Sequence, residues 1–104
     1  AAHAELLKSS PAARSIIATW PTSISLTFGE KLLVLGGKTV NSISVKDSKG
    51  ARLDRGSAKV VGAVISISTV IPSVSGKISV SYRVVSNDGH PISSQYFFTY
   101  KPKK

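Results

Sequence analysis

The 104-residue chain contains neither cysteine nor methionine. Disulfides, thiolate metal sites and thiol nucleophiles are therefore excluded, and so are the thioether ligands that favour Cu(I). No apolar run approaches the roughly 20 residues that a membrane-spanning helix needs. Acidic residues number only 5 against 14 lysines and arginines, which gives a net charge of +9. A chain with this balance is suited to anionic partners.

The basic residues are spread along the chain, and their only cluster is Lys101-Pro102-Lys103-Lys104. Nucleic-acid binding would need aromatic side chains interleaved with the charge on one face, and the sequence shows no such pattern. We therefore expect no nucleic-acid partner. The length predicts a single domain, which we place over residues 1–100, with a basic tail or linker over residues 101–104. We expect the protein to be a monomer.

Alternating apolar residues indicate β-strands. The alternation is complete over Ser23–Phe28, as in a strand with one face on the core. It recurs over Lys77–Ser86, where Ile78, Val80, Tyr82 and Val84 are expected to point inward. Further strands are predicted over His3–Leu7 (ended by Ser9-Ser10-Pro11), Asn41–Asp47 with Ile43 and Val45 inward, Lys59–Ser68, and Gln95–Tyr100.

Turn signals separate these runs every ~8–12 residues, a spacing typical of all-β sandwiches and barrels. We therefore predict an all-β fold of about seven strands in two sheets. The apolar segment Lys31–Thr39 is predicted to cross from one sheet to the other.

The two histidines are the main candidates for chemistry. His90 lies in the turn Asn87–Pro91, two residues after Asp88. Gly89 lets the chain bend so that the two side chains can lie on one side of the backbone. A carboxylate beside an imidazole suits a divalent metal ion, with Asp88 either ligating the metal or orienting the ring of His90. The alternative is an ordinary Asp-Gly turn in which His90 has no special role.

His3 offers two modes of chelation. If Ala1 is the true amino terminus, its amine, two deprotonated backbone amides and the His3 imidazole form a square of nitrogens that favours Cu(II) or Ni(II). If the mature chain begins at His3, its amine and imidazole chelate together and His90 completes a three-nitrogen site, with Asp88 or water beside it. Both modes predict tetragonal Cu(II). Glu30 is a candidate hydrogen-bond acceptor near His3 that supports a ligand without binding the metal. The alternative for Glu30 is a solvated strand end, and the alternative for residues 1–3 is a frayed terminus.

Catalytic motifs are poorly represented. No serine lies in a Gly-x-Ser-x-Gly turn, no phosphate-binding glycine loop is present, and the spacing of the five acidic residues suggests no carboxylate pair. The sequence therefore favours a binding protein over a hydrolase.

Three segments together resemble the CopC family of copper-binding proteins. They are His3–Ala12, which is similar to the start of the family's chains, Leu26–Glu30, and Tyr82–Ser93 followed by Tyr96-Phe97-Phe98. The segments occur in the family's order and extend from one end of the chain to the other. The resemblance implies an exported, periplasmic protein with an Ig-like Greek-key β-sandwich that binds copper.

The resemblance also implies a ligand set. The Cu(II) ligands carry over to His3, through amine and imidazole, and to Asp88 and His90. Because methionine is absent, the chain is similar to members with a Cu(II) site only, without a methionine-rich Cu(I) loop. The implied role is copper resistance or homeostasis without catalysis, beside a CopD-type inner-membrane partner. The competing hypothesis is a copper mono-oxygenase-like enzyme, which also uses a terminal-histidine chelate.

The sequence departs from the family pattern at three places. Two alanines precede His3, which blocks the terminal-amine chelate unless they are removed. Tyr82 stands where the family often has tryptophan, and Ser94 where glycine is common. We expect these last two differences to affect packing only.

Overall fold

The computed structural model describes residues 5–36 and 40–103. Within this part of the chain there are eight β-strands and no helix, so no described helix could cross a bilayer. The strands are β1 (Leu6–Ser10), β2 (Ile16–Ile17), β3 (Ser23–Phe28), β4 (Ser42–Lys46), β5 (Asp54–Val61), β6 (Val64–Thr69), β7 (Gly76–Val85) and β8 (Pro91–Tyr100). They form two four-stranded sheets in the orders β1-β3-β6-β5 and β2-β8-β7-β4. The predicted all-β, two-sheet architecture is confirmed.

The core lies between the sheets, as the alternation predicts. β3, β4, β6 and β7 each turn an apolar face inward and a Ser/Thr-rich or charged face outward. All the side chains predicted to point inward are buried: Ile24, Leu26 and Phe28 of β3, Ile43 and Val45 of β4, and Ile78, Val80, Tyr82 and Val84 of β7. Across the two sheets, the rings of Phe28 and Tyr82 meet edge-on with centroids 5.5 Å apart.

The predicted crossing segment does join the two sheets. Leu32 is buried, and its amide donates to the carbonyl of Gly62 in the loop between β5 and β6 of the first sheet. The next amide, that of Leu33, donates to the carbonyl of Val85 in the second. Residues 37–39 of this segment lie outside the described residues.

The prediction of a single strand over Lys59–Ser68 is wrong. The structure has a hairpin there, in which Val61 pairs with Val64 across a two-residue loop. Gly62, the first loop residue, has φ 61°, the left-handed conformation that two-residue hairpins require at this position. The apolar alternation resumes after Ala63, and this continuity hides the turn in the sequence.

Two strand boundaries also differ from the prediction, and β2 was not predicted. The first strand was expected to end before Ser9, but β1 continues to Ser10 because Ser9 and Ser10 pair with β3. His3 and Ala4, the start of that predicted strand, lie outside the described residues. β8 starts at Pro91 rather than Gln95, since β7 pairs with it along its whole length. β2 is only two residues long and is defined by parallel pairing with β8, so its sequence carries no alternation.

The β7–β8 hairpin gives the molecule two ends. The connection over residues 86–90 closes one end, here named the Asp88 end. At the other, the Tyr100 end, Gly76 pairs with Tyr100. β7 has ten residues, so at ~3.3 Å per residue the two ends are about 30 Å apart.

Candidate metal centre

The candidate site lies on a closed turn at the Asp88 end. The amide of Ser86 donates to the carbonyl of His90 at 3.0 Å, and the amide of Gly89 donates to the carbonyl of Ser86 at 2.8 Å. Gly89 has φ 92°, a backbone conformation that residues with a Cβ rarely adopt. The turn therefore fixes Asp88 and His90 on either side of a glycine that the geometry requires.

The side chains of Asp88 and His90 are in direct contact. Oδ2 of Asp88 lies 3.1 Å from Nδ1 of His90, and the two side chains are 34% and 53% exposed. The backbone amide of His90 also points at Oδ1 of Asp88, at 3.4 Å. The predicted pair is thus brought together on a partly exposed surface where an ion from solvent can reach it.

Ser86 binds the Asp88 carboxylate from the interior of the protein. Its side chain is fully buried, and its hydroxyl donates to Oδ1 of Asp88. This hydrogen bond, followed by that from His90, lowers the pKa of Asp88 from 3.8 to about 2. Asp88 is therefore ionised throughout the physiological range and carries the charge a cation needs. Ser86 is not among the site residues predicted from the sequence, although the alternation Tyr82, Val84, Ser86 places it on the inward face.

The spacing of the two donors is compatible with metal ligation. Two ligands bound at right angles, each about 2.1 Å from a first-row divalent ion, lie about 3 Å apart. The 3.1 Å between Oδ2 of Asp88 and Nδ1 of His90 is close to that separation. The same contact is also a hydrogen bond that would orient the ring for ligation through Nε2. Both arrangements predicted from the sequence fit this geometry.

Glu30 presents an acceptor with no donor. Its Oε2 is buried and has no hydrogen-bond partner among the described residues. The backbone on either side of Glu30 leads to two other segments: Gly29 donates to the carbonyl of Glu5 at 2.9 Å, and the carbonyl of Lys31 accepts from the amide of Asn87 at 2.9 Å. Glu30 therefore lies between the start of the described chain and the turn that carries Asp88.

The structure assembles only part of the predicted site. His3 and Ala1 lie outside the described residues. Within residues 5–36 and 40–103, no group of three histidine or acidic side chains is placed to hold a metal ion. The Asp88–His90 pair is formed, and the roles of His3, Asp88, His90, Ala1 and Glu30 in binding metal stay predictions.

Comparison with known proteins identifies the family. Residues 6–101 match the CopC domain. Copper resistance protein C of Escherichia coli is 36% identical over 105 residues, which cover 96% of this chain and 82% of that protein.

Solved structures agree with this result. CopC from Methylosinus trichosporium OB3b superposes with a TM-score of 0.84 at 28% identity, covering 98% of this chain and 97% of that one. PcoC, described as a methionine-rich copper resistance protein from Escherichia coli, gives 0.70 at 32% identity, covering 96% and 100%. These likenesses confirm the Greek-key sandwich expected from the resemblance. The chain belongs to the CopC family of copper resistance proteins.

Proposed function

We propose that this chain is a non-enzymatic Cu(II)-binding protein of copper resistance and homeostasis, which carries or sequesters copper outside the cytoplasm. The observation that carries the proposal is the Asp88–His90 pair, an ionised carboxylate 3.1 Å from an imidazole on a turn closed by backbone hydrogen bonds. Two of the relatives are named as copper resistance proteins, which supports copper as the metal.

The available donors favour Cu(II) over Cu(I). Imidazole nitrogen and carboxylate oxygen suit Cu(II), whereas Cu(I) is selected by thiolate and thioether sulfur. The Escherichia coli PcoC structure is described as methionine rich, but this chain has no methionine and no cysteine. We therefore assign it a Cu(II) site without a sulfur-ligated Cu(I) site.

We assign the third ligand to His3. Hydrogen bonds join Glu5 to Gly29 and Lys31 to Asn87, and Gly29 and Lys31 are only two residues, about 7 Å, apart along the chain. His3 precedes Glu5 by the same two residues, which gives its imidazole the reach to approach Asp88 and His90. In a chain trimmed to His3, the terminal amine would ligate beside the imidazole; in the untrimmed chain, the amine of Ala1 would do so.

Glu30 has a supporting role in this proposal. A buried carboxylate oxygen without a donor is unfavourable, and Oε2 of Glu30 is one among the described residues. An N–H of His3 is a suitable donor, since the imidazoles that bind metals usually donate their second N–H to a carboxylate or carbonyl. This bond would fix the ring of His3 and increase its basicity.

The family resemblance supports the wider setting. Residues 1–100 would be the copper-binding domain of an exported, periplasmic monomer that acts beside a CopD-type membrane protein. Residues 101–104 would form a basic tail, of which Lys104 lies outside the described residues.

Cu(II) titration followed by electron paramagnetic resonance tests the proposal. His90→Ala should weaken Cu(II) binding by about a hundredfold or more, since even loss of a group that only orients a ligand weakens binding 10–100-fold. Asn87→Ala is the matched control: it alters the same exposed turn, where Asn87 is held through its backbone amide, and should leave the affinity unchanged. Binding should also weaken as the pH falls, because protons compete with the metal ion for the imidazole nitrogens.

Chains that begin at Ala1 and at His3 separate the two amine chelates by the number of nitrogens in the Cu(II) spectrum. Identical spectra would show that the amine does not ligate. Unchanged Cu(II) affinity in His90→Ala, with an unchanged urea midpoint for unfolding, would remove His90 from the site and contradict the proposal.

A further inference from the structure

We propose that the Tyr100 end of the molecule is a docking surface for an anionic lipid bilayer. Lysines from separate parts of the chain gather at this end, together with exposed aliphatic side chains. The lysines are Lys46, Lys49, Lys77, Lys101 and Lys103, all exposed. They are distant in sequence, and only the sheet topology brings them to the same end.

Strand pairing places these lysines. Lys46 is the last residue of β4 and pairs with Ser79 near the start of β7. Lys77 is the second residue of β7 and pairs with Thr99. Lys101 follows the last residue of β8, and its amide donates to the carbonyl of Ile17.

The turn after β4 extends the same surface. A Cβ added at Gly76 would lie 3.5 Å from Oγ of Ser48, so this turn, which carries Lys49, lies against the start of β7. Lys103 follows Lys101 by two residues at the end of the described chain. Strand ends and turns therefore present the lysines to solvent together.

The carboxylates at this end are occupied within the protein. Asp47 is 7% exposed, and its Oδ1 accepts from the amides of Lys49 at 2.8 Å and Ala51 at 2.9 Å. Asp54 forms an ion pair with Arg52 at 2.6 Å. Both acids are directed inward or paired, so the outer surface here is cationic.

The other three of the chain's 5 acidic residues lie toward the opposite end. Glu5 and Glu30 are next to the Gly29 hydrogen bond, and Asp88 is in the turn after β7. The two ends of the molecule therefore differ in electrostatic character, and an anionic surface is attracted to the Tyr100 end.

Exposed aliphatic side chains lie at the same end of the molecule as the lysines. Ile71 is 74% exposed and Val70 39%, and both follow β6, whose last residue pairs with Asp54. Ile16 is 71% exposed and pairs with Thr99 beside Lys77. Exposed apolar side chains next to lysines are typical of surfaces that lie at the headgroup–acyl boundary of a membrane.

These features favour lipid over a nucleic acid. Single-stranded nucleic acid binds to exposed aromatic platforms beside basic residues, but Phe98 and Tyr96 are buried in the core. Phe97 is 36% exposed, and the Nζ of Lys77 lies 3.9 Å from its ring centroid. Clusters of four to eight basic residues bind anionic headgroups without any stacking surface.

Sedimentation with vesicles tests the proposal on the whole chain without copper, so its outcome is separate from that of the copper-binding proposal. The wild type should bind vesicles in which about one lipid in three is phosphatidylglycerol, and should not bind pure phosphatidylcholine. Each lysine near such a surface contributes about fivefold in partitioning at physiological ionic strength. Lys46→Gln, Lys49→Gln and Lys101→Gln combined should therefore lower binding about a hundredfold.

A matched control separates the docking surface from the net charge. Lys8→Gln, Lys31→Gln and Lys59→Gln combined remove the same charge from the half of the molecule that contains Asp88. This variant should bind vesicles within about twofold of the wild type, because exposed charges beyond the ~8 Å Debye length are largely screened. Equal weakening by the two triple variants would overturn the proposal, as would no binding to phosphatidylglycerol vesicles at low salt.

A second pair of variants tests insertion of the aliphatic side chains. Ile71→Ser should lower vesicle binding about tenfold at a salt concentration that screens the lysines. Val61→Ser is the control, since Val61 is 78% exposed but lies at the Asp88 end, and it should have no effect. Binding to polyglutamate as strong as that to vesicles, with no loss in Ile71→Ser, would show a purely electrostatic protein-binding surface and refute the assignment to lipid.

Discussion

Tyr96→Phe removes a single hydroxyl group from the contact between β8 and the chain that follows β1. Tyr96 is 7% exposed, and its hydroxyl donates to the carbonyl of Pro11 at 3.0 Å. Loss of a buried hydrogen bond of this kind costs about 1 kcal/mol of unfolding free energy at neutral pH. Because the ring is retained, the core should keep its packing.

The same hydroxyl makes the effect depend on pH. Burial raises the pKa of Tyr96 from 10.0 to about 12, although the neighbouring Ser9 hydroxyl acts to lower it. Between these two values the unfolded chain releases the proton and the folded chain keeps it, so the wild type loses stability as pH rises. The stabilisation is complete below about pH 10 and falls by about 1.4 kcal/mol at pH 11. Tyr96→Phe lacks this loss.

Urea unfolding of both proteins, followed by circular dichroism, measures the difference. We expect the wild type to be more stable by about 1 kcal/mol at pH 7, equal to the variant near pH 11, and less stable at about pH 12. The other tyrosines and the lysines are common to both chains, so their titration cancels in the comparison. A stability difference that stays constant from pH 7 to about pH 11 would refute the reasoning, because the Tyr96 hydroxyl would then titrate alike in both states.

Two further predictions concern the turns. Gly62→Ala should lower the free energy of unfolding by about 1–2 kcal/mol, because the φ of Gly62, 61°, is in the left-handed region. Gly36→Ala is the control and should change this free energy little, since Gly36 is equally open to solvent but has no positive φ. Equal melting temperatures for the two variants would contradict the prediction. Ser86→Ala in the metal-free protein should raise the pKa of Asp88 from about 2 toward its ordinary value, as read from carboxylate chemical shifts. Because a lowered pKa stabilises the fold above pH ~4 and this contribution is lost as pH falls through about 2, Ser86→Ala should also flatten the acid side of the stability profile; an unshifted midpoint would show that Ser86 does not hold the carboxylate.

The sequence predicts the strands in which apolar residues alternate along one face, because that face is buried in the core. β3 alternates completely and β7 alternates as far as Val84, and their inward residues are the buried ones. β2 could not be predicted in this way, because a strand of two residues, paired in parallel with β8, is too short to show any apolar alternation. The hairpin at Gly62 was missed for the opposite reason: apolar residues continue on both sides of a turn that depends on a single backbone angle.

The candidate site was predictable to the same extent. Asp88 and His90 stand out because histidine and acidic residues are scarce, and the structure places them 3.1 Å apart. The contribution of Ser86 depends on its burial and on the direction of its hydroxyl, and neither follows from the residue type alone. The unpartnered oxygen of Glu30 is likewise a property of packing.

The β7–β8 hairpin separates the two proposed functions in space. Each strand has ten residues, so the Asp88–His90 turn and the lysines of the Tyr100 end lie about 30 Å apart. This exceeds the ~8 Å over which exposed charges interact at physiological salt. A divalent ion bound at the Asp88 end therefore adds charge that the lipid surface does not sense. A protein docked through its Tyr100 end would bind and release copper without leaving the membrane, and its metal site would face away from the bilayer.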